Sequence, residues 1–319
     1  MIFKISLRVA TCLLLASSLA HSDSEKLPFI DRDGQRFWND GALSKYIHRQ
    51  TRALAKDGKL TPGETILAQL RERTSLPAGT LPPPAPSLPI LDAPTLATRL
   101  QQSTVVVMTL DDKNHDEYGT GFAIAPGIIV TNWHVVSPDQ KFPHLVVMDH
   151  NGKVLPVTEG LASNIDNDLA ILRIADPTGS IPHLPLAPTL PSPGETVWQT
   201  GHTHTSWWTF TEGTVNRYCL ERYTPDGKEK SILLPVIDIS NKVSAGSSGS
   251  AVVNNMGQVV GVYHARRWFY QTAGTWRIPA EPSKDGEKPK DPEEIKDRVV
   301  LFERNKCIPA TRLLEMLAK

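Results

Sequence analysis

The sequence predicts a mainly β protein, an antiparallel barrel or sandwich, with a small helical region before it and a single helix after it. Two observations carry this. Short β-branched runs at residues 104–109, 128–131, 169–174, 231–237 and 258–263 are separated by Gly, Pro, Asn and Asp, the texture of strands joined by turns. Apolar residues at helical spacing are confined to the ends of the chain, and no internal repeat interrupts the pattern.

The elements follow in order. Lys4 and Arg8 precede an apolar run at 9–16, and Ser18-Leu19-Ala20 supplies the small residues a signal peptidase needs, so residues 1–20 read as a cleaved secretory signal. The run is too short to span a bilayer, which takes about 20 apolar residues, and no stable membrane insertion is expected after cleavage. Cleavage removes Cys12 and leaves Cys219 and Cys307. In an oxidising compartment these two either pair as a disulfide or stay as buried thiols.

Residues 21–76 read as a helical appendage. Leu43, Tyr46, Ile47 and Leu54 form one stripe, and Thr61-Pro62-Gly63-Glu64 has the pattern of a capping box opening a second helix with Ile66, Leu67 and Leu70 inside. Asp31-Arg32-Asp33-Gly34 and Asp57-Gly58-Lys59-Leu60 faintly resemble calcium loops. Ala53 and Ala55 would fall where oxygen ligands are required, so ordinary Asp-Gly turns are preferred. Residues 77–94 hold seven prolines, which remove backbone donors and favour extended geometry, the mark of a linker. The β-rich region fills 95–319, opened by a helix at 95–102 and closed by one at 310–319. A polar interruption at 265–297, densely charged from 283 onward, reads as a solvated surface loop.

Lys and Arg together number 34 and Asp and Glu 34, with 40% hydrophobic residues. That balance excludes wholesale disorder and nucleic-acid binding by bulk charge.

Three segments carry chemistry. Thr131-Asn132-Trp133-His134-Val135-Val136 places a histidine at a strand end, where an imidazole near neutral pKa can take and return a proton. Asn167-Asp168-Leu169-Ala170 sets a carboxylate at the head of an apolar strand; it is either a turn former or the group that orients a histidine. Ser244-Ala245-Gly246-Ser247-Ser248-Gly249-Ser250 surrounds serines with small residues, which lets the backbone bend so that N–H groups converge on an anion. His202-Thr203-His204 lacks a third ligand nearby and reads as structural.

In this order, His134, Asp168 and Ser248 resemble the triad of the trypsin-like, chymotrypsin-fold serine peptidases, over about residues 95–319. The exported bacterial branch, with HtrA-type and glutamyl-endopeptidase-type enzymes, is the most similar. The resemblance implies a two-lobed antiparallel β-barrel with a C-terminal helix, acting on protein or peptide substrates without metal or organic cofactor. It implies His134 as general base then acid, Asp168 as its orienter, Ser248 as nucleophile, and the N–H groups of Gly246 and Ser248 as the oxyanion hole. Ser247 and Ser250 compete as nucleophiles, but the family's Gly-x-Ser-Gly falls on Gly246-Ser247-Ser248-Gly249. Ser247 stands where the bacterial members usually carry Asn and the animal trypsins Asp, so activation through a buried N-terminus is not expected. No PDZ module is expected after the terminal helix. Counting back from Ser248 puts Lys242 at the base of the primary pocket and His264 on a strand lining it, which suggests preference for an acidic side chain; alternatively Lys242 points to solvent. Residues 21–94 read either as a removable propeptide or as a permanent module. An inactive binding module on the same fold is the rival functional reading.

Overall fold

The computed structural model describes residues 27–77, 80, 88–113, 115–137, 142–277 and 294–317, with backbone alone at 265–303. The expected signal and the prolines at 82–86 lie outside these residues. Among the described residues no helix is long and apolar enough to cross a membrane.

Strands β1 (Phe29–Arg32) and β2 (Gln35–Trp38) form a hairpin. Its turn residues Asp33 and Gly34 both have positive φ, 52° and 73°, as a tight two-residue turn requires. Helices α1 (Asp40–Lys56) and α2 (Gly63–Glu72) follow, and α3 (Ala93–Ser103) is capped by the Asp92 side chain accepting from Thr95 N–H. The capping box expected at Thr61 is not made: Pro62 is the N-cap, the Thr61 hydroxyl donates to Thr158 O, and Gly63 N–H goes to Pro143 O at 2.9 Å. The start of α2 is fixed by docking on the barrel.

The first barrel closes in the order β3-β4-β5-β8-β7-β6. Its strands are β3 (Thr104–Leu110), β4 (Asp116–Ala125), β5 (Ile128–Thr131), β6 (His144–Met148), β7 (Val154–Asn164) and β8 (Leu169–Ile174). Alternate residues, among them Val105, Val107, Ile129, Val147, Val157 and Leu172, fill the interior, where Ile66 and Leu70 of α2 join them. The outward set on β3 and β6, Val106, Met108, Val146 and Met148, is covered by Leu43, Tyr46 and Ile47 of α1. The outward set on β4, β5 and β8 meets the second barrel. Burial on both faces explains why these strands read as continuous apolar runs.

The second barrel closes as β10-β11-β14-β13-β12-β9, from β9 (Thr196–Thr203), β10 (Ser206–Tyr223), β11 (Ile232–Ile239), β12 (Ala251–Val253), β13 (Val259–Arg277) and β14 (Glu294–Pro309). Between the barrels, Phe122, Val130, Ile171, Leu234, Val236 and Ile308 share one core with helix α5 (Ala310–Leu317). The two-lobed architecture expected from the resemblance is therefore present.

One expectation is corrected here, and one open alternative is decided. The interruption at 265–297 is not simply a surface loop: β13 and β14 pair from Gly261↔Pro309 out to Arg277↔Glu294, so backbone pairing persists where the side-chain pattern lost its alternation. Cys219 and Cys307 are both free. Cys219 is on β10 and Cys307 on β14, which flank β11 on opposite sides; two strand spacings of about 4.8 Å exceed the roughly 7 Å limit between disulfide Cα atoms. Burial pushes the Cys307 thiol far up, so it is inert.

Candidate active site

His134 sits on a single-turn helix, α4 (Trp133–Val136), directly after β5. Asp168 ends a short 3-10 turn before β8, with φ of 51°, a left-handed conformation that Asp tolerates better than most residues. The turn is held by Asn164 Oδ1 accepting from Asn167 N–H, and Asn132 Nδ2 and Trp133 N–H both donate to Asp168 O. Thus the ends of β5 and β8 are stitched together, and His134 and Asp168 are brought into register.

The resulting pair is tight. His134 Nδ1 lies 2.7 Å from Asp168 Oδ2, and His134 backbone N–H donates to Oδ1 at 2.9 Å. Asp168 is fully buried, whereas the His134 side chain is 46% exposed. Burial alone would raise the Asp168 pKa; the charge and hydrogen bond of His134, then of His264, outweigh it and hold the carboxyl far below its usual range. Burial opposes the charged form of His134, but the Asp168 carboxylate overcomes it and raises the imidazole's pKa above its usual value. An ionised carboxylate fixes the proton on His134 Nδ1 and leaves Nε2 as the acceptor.

The loop at 244–250 comes from the second barrel and is clasped by the Gly119-Thr120-Gly121 segment of β4. Thr120 N–H donates to Ser248 O at 2.7 Å, and its hydroxyl to Gly246 O at 2.8 Å. Gly246 and Gly249 have φ of 91° and 88°. A Cβ on Gly246 would lie 2.1 Å from His202 O, and one on Gly249 2.0 Å from Thr120 O, so neither position accepts a side chain.

The three serines differ. Ser247 and Ser250 are buried, with Ser247 Oγ on Thr203 Oγ1 at 2.8 Å and Ser250 Oγ donating to Ser247 O at 2.7 Å. Ser248 is half-buried, and its hydroxyl makes one long contact, donating to His264 O at 3.4 Å; it makes no hydrogen bond to His134. Within the loop, the N–H groups of Ser247, Gly249 and Ser250 are bonded to Ser244 O, Tyr263 O and Ser247 O. Those of Gly246 and Ser248 take no acceptor among the described residues, leaving two donors for an incoming oxyanion.

His264 lies on a strand, β13, as counted, and Lys242 takes the solvent-facing alternative. His264, on β13, is buried and directs Nδ1 to Asp168 Oδ2 at 2.7 Å, with Tyr223 edge-on to its ring. Lys242 is exposed. Its neighbours turn inward instead: Asn241 is buried with Nδ2 on Thr211 O at 3.2 Å, and Val243 and Ser244 are buried as well. His202 is buried with its pKa pushed down to about 3 by desolvation, its Nδ1 accepting from Trp208 N–H. His204 is exposed, so this pair does not form a metal site.

Sequence reasoning missed two contacts. One is the His264–Asp168 bond, whose signal was a polar residue closing the apolar run of β13. The other is Asp226, in the loop between β10 and β11, which accepts from Trp133 Nε1 at 3.0 Å and from Ser137 Oγ at 3.1 Å. The second barrel thereby grips both ends of the turn that carries His134.

Comparison with known proteins agrees with the fold. Residues 119–262 match the family model of the trypsin-like peptidase domain. The serine endoprotease DegS of Escherichia coli strain K12 is 28% identical over 139 residues, covering 43% of this chain and 36% of its own. DegS of Salmonella typhimurium is 27% identical over the same coverage. The chain thus spans about a third of the length of these curated relatives. Among solved structures, the active form of the Rv3671c protease from Mycobacterium tuberculosis superposes with a TM-score of 0.53 at 20% identity, covering 76% of this chain and 94% of that one. This likeness concerns the fold.

Proposed function

We propose that the protein is an exported serine endopeptidase working through an acyl-enzyme, a reading supported by the match of residues 119–262 to the trypsin-like peptidase domain. The observation that carries the reading is the His134–Asp168 pair together with a loop in which Ser248, of the candidates Ser247, Ser248 and Ser250, is the half-buried one whose hydroxyl makes only a single long contact. Rotation of Ser248 about its Cα–Cβ bond moves Oγ from the His264 carbonyl toward His134 Nε2. Oγ attacks the substrate carbonyl carbon while its proton passes to Nε2. The tetrahedral oxyanion is held by the N–H groups of Gly246 and Ser248, each such donor stabilising the transition state by about 3 kcal/mol. Collapse breaks the C–N bond, and His134 gives its proton to the leaving amine. Water then attacks the ester by the same route, releasing the acid and restoring Ser248.

The substrate class is protein or peptide. With Lys242 exposed, the acidic preference loses the residue that motivated it.

Residues 27–76 read as a permanent buttress of the first barrel. Leu43, Ile47, Ile66 and Leu70 are completely buried, Ser163 N–H donates to Arg73 O at 2.7 Å, and Leu76 N–H donates to Met316 O at 2.9 Å. N-terminal sequencing of the secreted protein tests this: a mature start near residue 21 fits, and one near residue 95 overturns it.

The Ser248 contact with His264 O favours one rival, an inactive binding module that keeps the fold. Labelling of the purified protein with a fluorophosphonate separates the two. Labelling abolished by S248A and H134A supports the peptidase; no labelling of the wild-type chain supports the module.

A further inference from the structure

Acyl transfer needs one imidazole on Asp168, and the structure supplies two. His134 and His264 direct Nδ1 atoms to the same oxygen, Oδ2, each at 2.7 Å, and the two rings are inclined by 72°. The three donor atoms lie within 4.8 Å of one another, and no other cluster of three ligating side chains occurs among the described residues. Two imidazoles and a carboxylate with one open position are the donor set of a catalytic-type zinc site.

We propose that His134, Asp168 and His264 form an inhibitory site for Zn2+ that excludes catalysis while it is occupied. Zinc bonds of about 2.0–2.2 Å let one ion bridge donors about 3–4 Å apart, so a small outward shift of the imidazoles from Oδ2 admits it. Asp168 Oδ1 is tied to His134 N–H at 2.9 Å, an outer hydrogen bond of the kind that orients a metal ligand. His134 is 46% exposed whereas Asp168 and His264 are buried, so an ion enters past the His134 ring. Imidazole nitrogen selects Zn2+ over Mg2+ and Ca2+, which prefer all-oxygen shells.

The exclusion follows from proton bookkeeping. Neutral His134 and His264 each give an Nδ1 lone pair to zinc and carry their protons on Nε2 instead, with no net release. His134 Nε2 then has no lone pair for the Ser248 proton, and Asp168 no longer accepts from Nδ1. The inhibition rests on the peptidase reading; the metal binding does not.

The test uses the purified full chain and Zn2+ itself. One Zn2+ per chain is measured by competition with a chromophoric chelator, and Co2+ is added to S248A, which keeps all three ligands, to read the absorption of a four-coordinate ion. In parallel, the fluorophosphonate labelling rate is followed against Zn2+, Mg2+ and Ca2+, with reversal by EDTA. Each variant is compared with its own metal-free rate. The expected result is one tight Zn2+, labelling lost with Zn2+ alone, and an H264N variant whose zinc affinity falls by more than the about 10–100-fold that loss of an outer-shell partner costs. Absence of stoichiometric binding, or equal zinc sensitivity in wild type and H264N, overturns the proposal. If the wild-type chain is not labelled even without metal, the peptidase reading has failed, and the chelator and Co2+ measurements still decide the site. If H264N does not fold, H264Q takes its place in the same comparison.

Discussion

His134 and His264 reach the same oxygen of Asp168 from opposite barrels, each at 2.7 Å. One comes from the turn after β5, the other from β13, so the buried carboxylate ties the two lobes together as well as orienting a base. Its charge is divided between two donors, and the basicity of His134 depends on that division.

The first prediction concerns pH. The Asp168 carboxylate outweighs burial and raises the His134 pKa above 6.5, and the general base must be neutral to act. Activity is therefore lost as pH falls through a value above 6.5, not at or below it. The kcat/KM profile of any cleaved peptide, or the pH dependence of fluorophosphonate labelling, reads this directly. An acid limb at or below 6.5 contradicts it.

A second prediction follows from the shared oxygen. In H264A the carboxylate loses one donor and interacts more strongly with the His134 imidazolium, so the acid limb moves further up. In H264N the amide Nδ2 sits close to the position of the lost Nδ1 and donates in its place, returning the limb toward wild type. Were His264 merely a wall of the substrate pocket, both variants would change KM and leave the limb where it is.

These contacts mark how far the sequence could be read. His134, Asp168 and the 246–249 loop were legible because each lies at the end of an apolar strand run, where a polar residue stands out. The barrels were legible as a class, but β10 and the outer halves of β13 and β14 were not, because backbone pairing continues there without alternating side chains. Which of the two Lys242 readings holds was not legible, because the inward residues between β11 and the loop, Asn241, Val243 and Ser244, could not be phased by counting. Whether Cys219 and Cys307 pair was not legible, because proximity in the sheet depends on which strand lies between them. The His264–Asp168 bond is a contact between lobes, which local pattern cannot report.

A third prediction separates orientation from chemistry. In D168N the amide oxygen keeps the His134 N–H, the NH2 stands where Oδ2 was and donates to Nδ1, which fixes the wrong tautomer, and no charge remains to stabilise an imidazolium; the fall expected in kcat is about 10⁴-fold, as in triads of this type. G246A acts through sterics: its Cβ would lie 2.1 Å from His202 O, so the loop must move and the two free donors with it. Loss of labelling by at least about 10²-fold is expected, with near-wild-type far-ultraviolet circular dichroism. Normal labelling of G246A would show that the loop is not held in this conformation during acyl transfer.

The last prediction tests the appendage as part of the core. Leu70 on α2 is completely buried among Val157, Leu172 and the other residues inside the first barrel, and the Leu70 carbonyl accepts from Ser163 Oγ at 2.6 Å. L70A removes buried methyl groups and leaves a cavity that close-packed β-strands cannot collapse into, which costs about 2–5 kcal/mol. For a chain of this size that lowers the midpoint of thermal unfolding by at least several degrees. The Gly160 position makes the same point from the barrel side. A Cβ there would meet Ile66 O at 2.6 Å, so G160A should destabilise only while α2 is docked. Measuring both substitutions in the full chain and in a chain starting at residue 88 distinguishes the cases. If the shorter chain folds with an unchanged midpoint, α2 is an accessory; if it fails to fold or melts far lower, the barrel is completed by a helix from outside the matched domain.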